Sequence, residues 1–178
     1  MAASPFRPAL DLMAQYAEYH RDKRNIATHF VGIPLIVFAI GILLARFSLF
    51  GVTLAWIFWA LSTAWYLTRG NLVLGIATSV VNAALIALAH PFAAMLFVNW
   101  LSWGVGAFAL GWVIQFVGHY YEGRKPAFVD DVVGLLVGPM FVVGEWLFAL
   151  GWGRDMLAEI ERRAGPTHLR DLAEPATR

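Results

Sequence analysis

Charged positions thin out abruptly along the chain. Between Asn25 and His119 the only Lys, Arg, Asp or Glu residues are Arg46 and Arg69. Four long apolar segments fill that stretch, residues 28–46, 49–67, 71–90 and 92–118, separated by Arg46-Phe47-Ser48, Arg69-Gly70-Asn71 and His90-Pro91. With no polar face to turn toward water, each predicts a helix that crosses a bilayer. The fourth is long enough to tilt or project at one end. A further apolar segment, 128–152, is interrupted by Gly138-Pro139, which predicts a re-entrant hairpin or a fifth span. Ahead of the spans, Asp11, Gln15, Glu18 and Asp22 stack on one helical face of residues 8–22, opposite Leu10, Met13, Tyr16, Ala17 and His20. This predicts an amphipathic helix lying in the membrane interface, too short and too charged to span. The expected fold is all-α, a polytopic membrane bundle of four spans plus a hairpin or fifth span. The interfacial helix occupies 1–24, the bundle 25–152 and a polar tail 153–178. Gly104, Gly111 and Gly118 recur every seven residues and Gly134/Gly138 form a GxxxG pair, both devices that let helix backbones approach closely in lipid.

Composition sharpens this picture. The 178 residues are 60% hydrophobic and 14% charged, which excludes an ordinary water-soluble enzyme. A net charge of +1 and the lack of any nucleic-acid-binding motif exclude a nucleic-acid partner. With zero cysteines there is no thiolate nucleophile and no Cys-ligated metal, so His and carboxylates are the strong ligands that remain. No cleavable signal peptide is expected before the first span. Placing Arg21, Lys23 and Arg24 in the cytoplasm also puts Arg69 and Arg124-Lys125 there and leaves only Arg46 outside. The expected location is the inner membrane of a bacterium or the endoplasmic reticulum of a eukaryote. A homo-oligomer is compatible with the glycine stripes.

The candidate chemistry lies in the histidines. His20 falls in the middle of the apolar face of the N-terminal helix, and His29 follows nine residues later. The two converge only if residues 22–25 break the helix, with Asn25 or Thr28 capping the first span. His119 ends the fourth span, Gln115 one turn before it and Glu122 nearly one turn after, and an even number of spans returns it to the surface of His29. Three imidazoles at one, cytoplasmic, surface suit a divalent first-row metal, with Glu122, Glu145, Gln115 or Asn25 orienting the rings. Glu145, a carboxylate inside an apolar segment, is a functional candidate on that ground alone. His90 falls at the opposite surface and His168 in the polar tail. This pattern does not choose iron over zinc, so a zinc-dependent lipid hydrolase remains open, as does a non-catalytic carrier or assembly protein using Glu145 as a proton relay.

Tyr19-His20-Arg-Asp-Lys-Arg-Asn25-Ile-Ala-Thr-His29-Phe-Val-Gly-Ile-Pro34, Trp112-Val-Ile-Gln115-Phe-Val-Gly118-His119 and Glu122-Gly-Arg124-Lys-Pro126-Ala127 together resemble a known membrane family. It is the family of the yeast endoplasmic-reticulum 2-hydroxy fatty acid dioxygenase of α-oxidation. The resemblance continues through Asp130, Pro139, Phe141 and Glu145-Trp-Leu-Phe148, covering roughly residues 16–152. It implies an Fe(II)-dependent dioxygenase that uses O₂ to shorten a 2-hydroxy fatty acid by one carbon. His20, His29 and His119 match the motif histidines, and His90 lies near a histidine of some relatives. Asn25, Gln115, Glu122, Arg124 and Glu145 match polar positions. The chain departs from the pattern in having two residues between His119 and Glu122 where three are usual. Under this reading His20, His29 and His119, with His90 as a further candidate, hold the metal. Gln115, Glu122 and Glu145 are the catalytic candidates, and Asn25, Arg124 and Lys125 the substrate-binding ones.

Overall fold

A computed structural model describes residues 6–126 and 133–173. Seven α-helices account for most of them: α1 Ala9–Ala17, α2 Lys23–Ala45, α3 Leu54–Leu67, α4 Leu72–Ala89, α5 Phe97–Glu122, α6 Gly134–Ala149 and α7 Arg154–Ala164. A two-residue-per-strand hairpin, β1 Ser48–Leu49 and β2 Val52–Thr53, joins α2 to α3, and a 3₁₀ turn, His90–Ala94, extends α4.

Among the described residues three helical segments are long and apolar enough to cross a membrane, Lys23–Ala45, Leu72–Ala94 and Phe97–Glu122, and the bent pair α6–α7 makes a fourth if it is counted as one span. The second predicted span is shortened by the hairpin, which turns through Phe50 and Gly51, both at positive φ, and consumes its first residues. Helix α3 keeps 14 residues. At about 1.5 Å per residue that is about 21 Å, short of a hydrocarbon core of about 30 Å.

The expected break at Gly138-Pro139 is not where α6 bends. The helix runs through Pro139, and the Tyr66 hydroxyl donates to the Leu136 carbonyl, three residues before it, at 2.9 Å. The bend comes instead at Gly151 and Gly153, both at positive φ, and sends α7 off at 120° to α6. Asp130 and the start of the 128–152 segment lie outside the described residues.

Helix α1 is also shorter than the polar stripe suggested, ending at Ala17. Its apolar face is covered by protein: Leu12, Met13, Tyr16 and Ala17 are buried in a cluster with Val137, Met140 and Phe141 of α6 and Ile160 of α7. Asp11 on its polar face pairs with Arg163 of α7 at 2.7 Å.

Helices α2 and α5 form the main seam. Built Cβ atoms would meet Leu43 from Gly104, Ile36 at 2.6 Å from Gly111, and Asn25 Oδ1 at 2.5 Å from Gly118, so the seven-residue glycine stripe is the surface on which α2 rests. This close approach sets His119 against the first turns of α2. The basic loops gather at the same end: Arg124 donates to the Glu18 carbonyl at 2.7 Å, and the Arg69 carbonyl accepts from Ala9 N–H at 2.8 Å. Arg46 sits at the other end, over Trp100 and bonded to the Met95 carbonyl.

Candidate functional site

Residues 18–22 leave the helical path between α1 and α2, and the cause lies about a hundred residues away. The Glu122 carboxylate accepts from Arg21 N–H through both oxygens at 3.0 Å, from Asp22 N–H at 2.9 Å and from the Asn25 amide at 2.9 Å. Asp22, rather than Asn25 or Thr28, then caps α2 by accepting from Arg24 N–H at 2.8 Å. Its carboxyl is buried, which by itself would raise its pKa. Hydrogen bonds from the Arg24 side chain, Arg170 N–H and Arg24 N–H outweigh that and hold it at about 2. The break swings His20 off the helix and back over α2.

His20, His29 and His119 are all buried, and one ligand atom from each lies within 4.8 Å of the others. His20 Nδ1 meets the Tyr16 carbonyl at 2.6 Å and His29 Nδ1 meets the Asn25 carbonyl at 2.8 Å. A carbonyl only accepts, so in both rings Nδ1 carries the proton and Nε2 keeps its lone pair. Those two Nε2 atoms are 3.0 Å apart. Two lone pairs facing each other in a dry site repel unless a cation lies between them. Protonation of the His20 ring is opposed first by burial and then by His29 and His119, while the Tyr16 carbonyl favours it; the net effect sets its pKa well below the ordinary value. A ring that resists protonation is a good metal donor. Tyr16 stacks flat on His20 at 4.0 Å and Phe141 borders it, fixing the ring plane. Three further buried atoms, His119 Nδ1, Gln115 Nε2 and Asn25 Oδ1, have no hydrogen-bond partner among the described residues.

His29 and His119, but not His20, open onto an apolar cavity of about 270 Å³, whose lining also includes Gln115 and Trp112. Gln115 lies across α2 at Gly32, where any Cβ would strike its amide. The other candidates are distributed around this centre. Asn25 and Glu122 stand behind the histidines as supports for the 18–22 loop. Glu145 is half-buried on α6, outside the cavity lining, and its carboxylate together with those of Glu122 and Glu161 opposes the effect of burial on Arg21. Arg124 and Lys125 are exposed beside Pro126, which lines the cavity. His90 is exposed at the far end, next to Ala89, which packs with Ile42 and Trp100.

A clasp from the tail had no signal in the sequence periodicity. His168 N–H donates to the Arg21 carbonyl and the His168 carbonyl accepts from Lys23 N–H, both at 2.9 Å. Arg170 N–H donates to Asp22 Oδ2 at 2.8 Å, and its side chain donates to the Tyr121 carbonyl at 2.9 Å. The His168 ring itself is exposed, as expected of a tail residue.

Fold and site together define an α-helical protein with membrane-length helices and a three-histidine cluster at the head of an apolar cavity. The chain belongs to the Mpo1-like family, described as 2-hydroxy-palmitic acid dioxygenase Mpo1-like, whose model matches residues 6–150. It is similar to the 2-hydroxy-palmitic acid dioxygenase MPO1 of Saccharomyces cerevisiae, with 32% identity over 162 residues, covering 85% of this chain and 88% of the yeast protein. No solved structure matches the chain.

Proposed function

We propose that this protein is an integral-membrane Fe(II)-dependent dioxygenase that converts a 2-hydroxy fatty acid to the acid one carbon shorter. The observation that carries the reading is the pair of bare Nε2 atoms of His20 and His29, 3.0 Å apart, each ring oriented by a backbone carbonyl. His20, His29 and His119 would hold the iron, and the metal supplies O₂ activation when bound. The overall reaction balances as 2-hydroxy acid plus O₂ giving the shortened acid, CO₂ and water. The 2-hydroxy acid is itself the electron donor, so no 2-oxoglutarate is required.

The chain's own residues do the rest. Gln115, on the cavity wall one turn before His119, has a buried Nε2 free to donate to the substrate carboxylate or hydroxyl. Tyr16 and Phe141 hold the His20 plane and exclude water from that side. Glu122 and Asn25 act through the loop they anchor, as positioning residues. Lys125 and Arg124, at the rim, attract the substrate anion, and the apolar cavity takes its tail. The gathering of Arg21, Lys23, Arg24, Arg69, Arg124 and Lys125 at the histidine end supports a cytoplasmic orientation for that end.

The test is metal analysis of detergent-purified protein with O₂ uptake on 2-hydroxypalmitate after anaerobic Fe(II) loading. The expected result is about one iron per chain and uptake that disappears in His20→Ala, His29→Ala and His119→Ala. Zinc without O₂ uptake would overturn the oxidative reading in favour of hydrolysis, and absence of metal under every loading condition would overturn both.

A further inference from the structure

We infer that the apolar cavity is a ruler for acyl-chain length, closed at its far end by Leu44, Ala55 and Ile86; this rests on the fatty-acid reading above. The lining residues on α2 include His29, Ile33, Val37, Ile40 and Leu44, spaced by four, four, three and four, so one face of a single helix borders the cavity from the histidines to its other end. At roughly 1.5 Å per residue that wall is about 22 Å long. The walls on α3 and α4 reach the same end, whereas the wall on α5 stops at Phe108. Ala55 opens α3 and Ile86 lies near the end of α4, both on the side away from the histidines.

Beyond that point the space is filled. Ala55 and Ile86 are buried in a cluster with Ala45, backed by Leu44, Trp56, Trp59 and Ala93. Trp56 and Trp59 meet edge to face at 5.6 Å on another face of α3, outside the lining, and stiffen the helix that carries Ala55. The few polar groups on the walls are turned to internal partners and offer a passing chain nothing. Ser62 donates to the Trp59 carbonyl at 2.9 Å, Tyr66 to the Leu136 carbonyl at 2.9 Å, and Asn82 bonds Tyr66. What remains is an apolar slot with its polar reactive groups at one end, a closed far end, and a flank where the lining residues Phe58, Phe108 and Leu135 are exposed.

A saturated chain with bonds of about 1.5 Å and angles near 111° advances about 1.25 Å per carbon, so about 22 Å accommodates about eighteen carbons. Up to that length each added methylene is buried and tightens binding about fourfold; beyond it the gain ceases. Filling the end shortens the ruler and hollowing it lengthens it. Ala55→Leu adds carbon atoms at the stop, and Ile86→Ala removes them.

The experiment measures binding of saturated 2-hydroxy acids, from 2-hydroxylaurate to 2-hydroxyarachidate, to the metal-free protein in detergent by ligand-induced thermal stabilisation. It is paired with O₂ uptake by the iron-loaded protein on the same series. Wild type should gain affinity with length and level off at about eighteen carbons; the plateau should come about two carbons earlier in Ala55→Leu and about two later in Ile86→Ala. The two variants act in opposite directions, so a folding defect in one leaves the other as a test. A length profile that does not move in the folded variants, or no length dependence in wild type, overturns the ruler. A plateau that moves while no protein consumes O₂ upholds the ruler and refutes the dioxygenase. Uptake with an unmoved plateau does the reverse.

Discussion

Replacing Glu122 with alanine should undo the loop that carries His20 before it does anything to chemistry. The carboxylate is buried and is the acceptor for three donors, Arg21 N–H, Asp22 N–H and the Asn25 amide, at 2.9 to 3.0 Å. Arg21, Asp22 and Asn25 are themselves 5%, 0% and 0% exposed, so little water can replace the lost acceptor. An orphaned buried donor costs about 1–3 kcal/mol, and three together cost about 3–6 kcal/mol once some relaxation is allowed. That is a large share of a typical net stability of about 5–15 kcal/mol. Glu122→Gln keeps one acceptor oxygen but turns an amide toward the same donors, and should fall between wild type and alanine. The assay is thermal unfolding in detergent, metal content, and hydrogen exchange at the Arg21 and Asp22 amides. Both amides should exchange far faster in Glu122→Ala and iron retention should drop with them. If Glu122→Ala keeps its melting temperature, its protected amides and its metal while turnover alone is lost, the positioning argument is wrong and Glu122 acts on the reacting atoms.

Gly118→Ala puts a methyl group into Thr28 and Asn25 one residue before His119, so it should cost about 1–3 kcal/mol and weaken metal binding; Gly106→Ala, with nothing within 4 Å of the new carbon, should do neither when both are compared by melting and metal titration. Gln115→Leu should raise KM for a 2-hydroxy acid more than it lowers kcat if the amide binds substrate, and steady-state kinetics over both parameters decides it. The Asp22 carboxylate, held at about 2 against an ordinary 3.8, stabilises the fold fully above its unfolded-state value. That contribution is lost as pH falls from there through about 2. The stability gap between wild type and Asp22→Asn, measured by denaturant unfolding, should therefore be constant near neutrality and close in acid; a gap that widens toward low pH would reverse the assignment.

The three histidines were legible because each sits at an apolar-to-polar boundary of the chain, and the count of spans puts two of those boundaries at one surface. Helix α1 and the glycine seam were legible for a related reason, since both are periodic patterns within one element. What periodicity could not show is anything set by a partner far along the chain. The end of α1 at Ala17 depends on Glu122, and the cap of α2 falls on Asp22 because Arg24 and Arg170 meet it there. The run through Pro139 is likewise a matter of surroundings that periodicity does not carry, with Tyr66 of α3 bonded to α6 beside it. Hydropathy also reads 49–67 as one apolar block, although Phe50-Gly51 is a turn flanked by the apolar pair Leu49 and Val52. The position of Glu145 away from the cavity has the same origin: an intramembrane carboxylate marks a polar neighbourhood but does not name the neighbour, here Arg21.

The tail clasp imposes an order on assembly. Asp22 and Arg24 meet Arg170 across 148 and 146 residues of sequence, so the segment bearing His20 is held by residues made after every membrane-length helix described. All of the membrane-length helices leave the ribosome before that contact can exist. During synthesis the bundle can therefore be inserted and packed while the loop bearing His20 still lacks its clasp, and the segment from His168 to Arg170 acts as the latch. The clasp is in this sense a late closure at the membrane surface, made once the helices beneath it are in place.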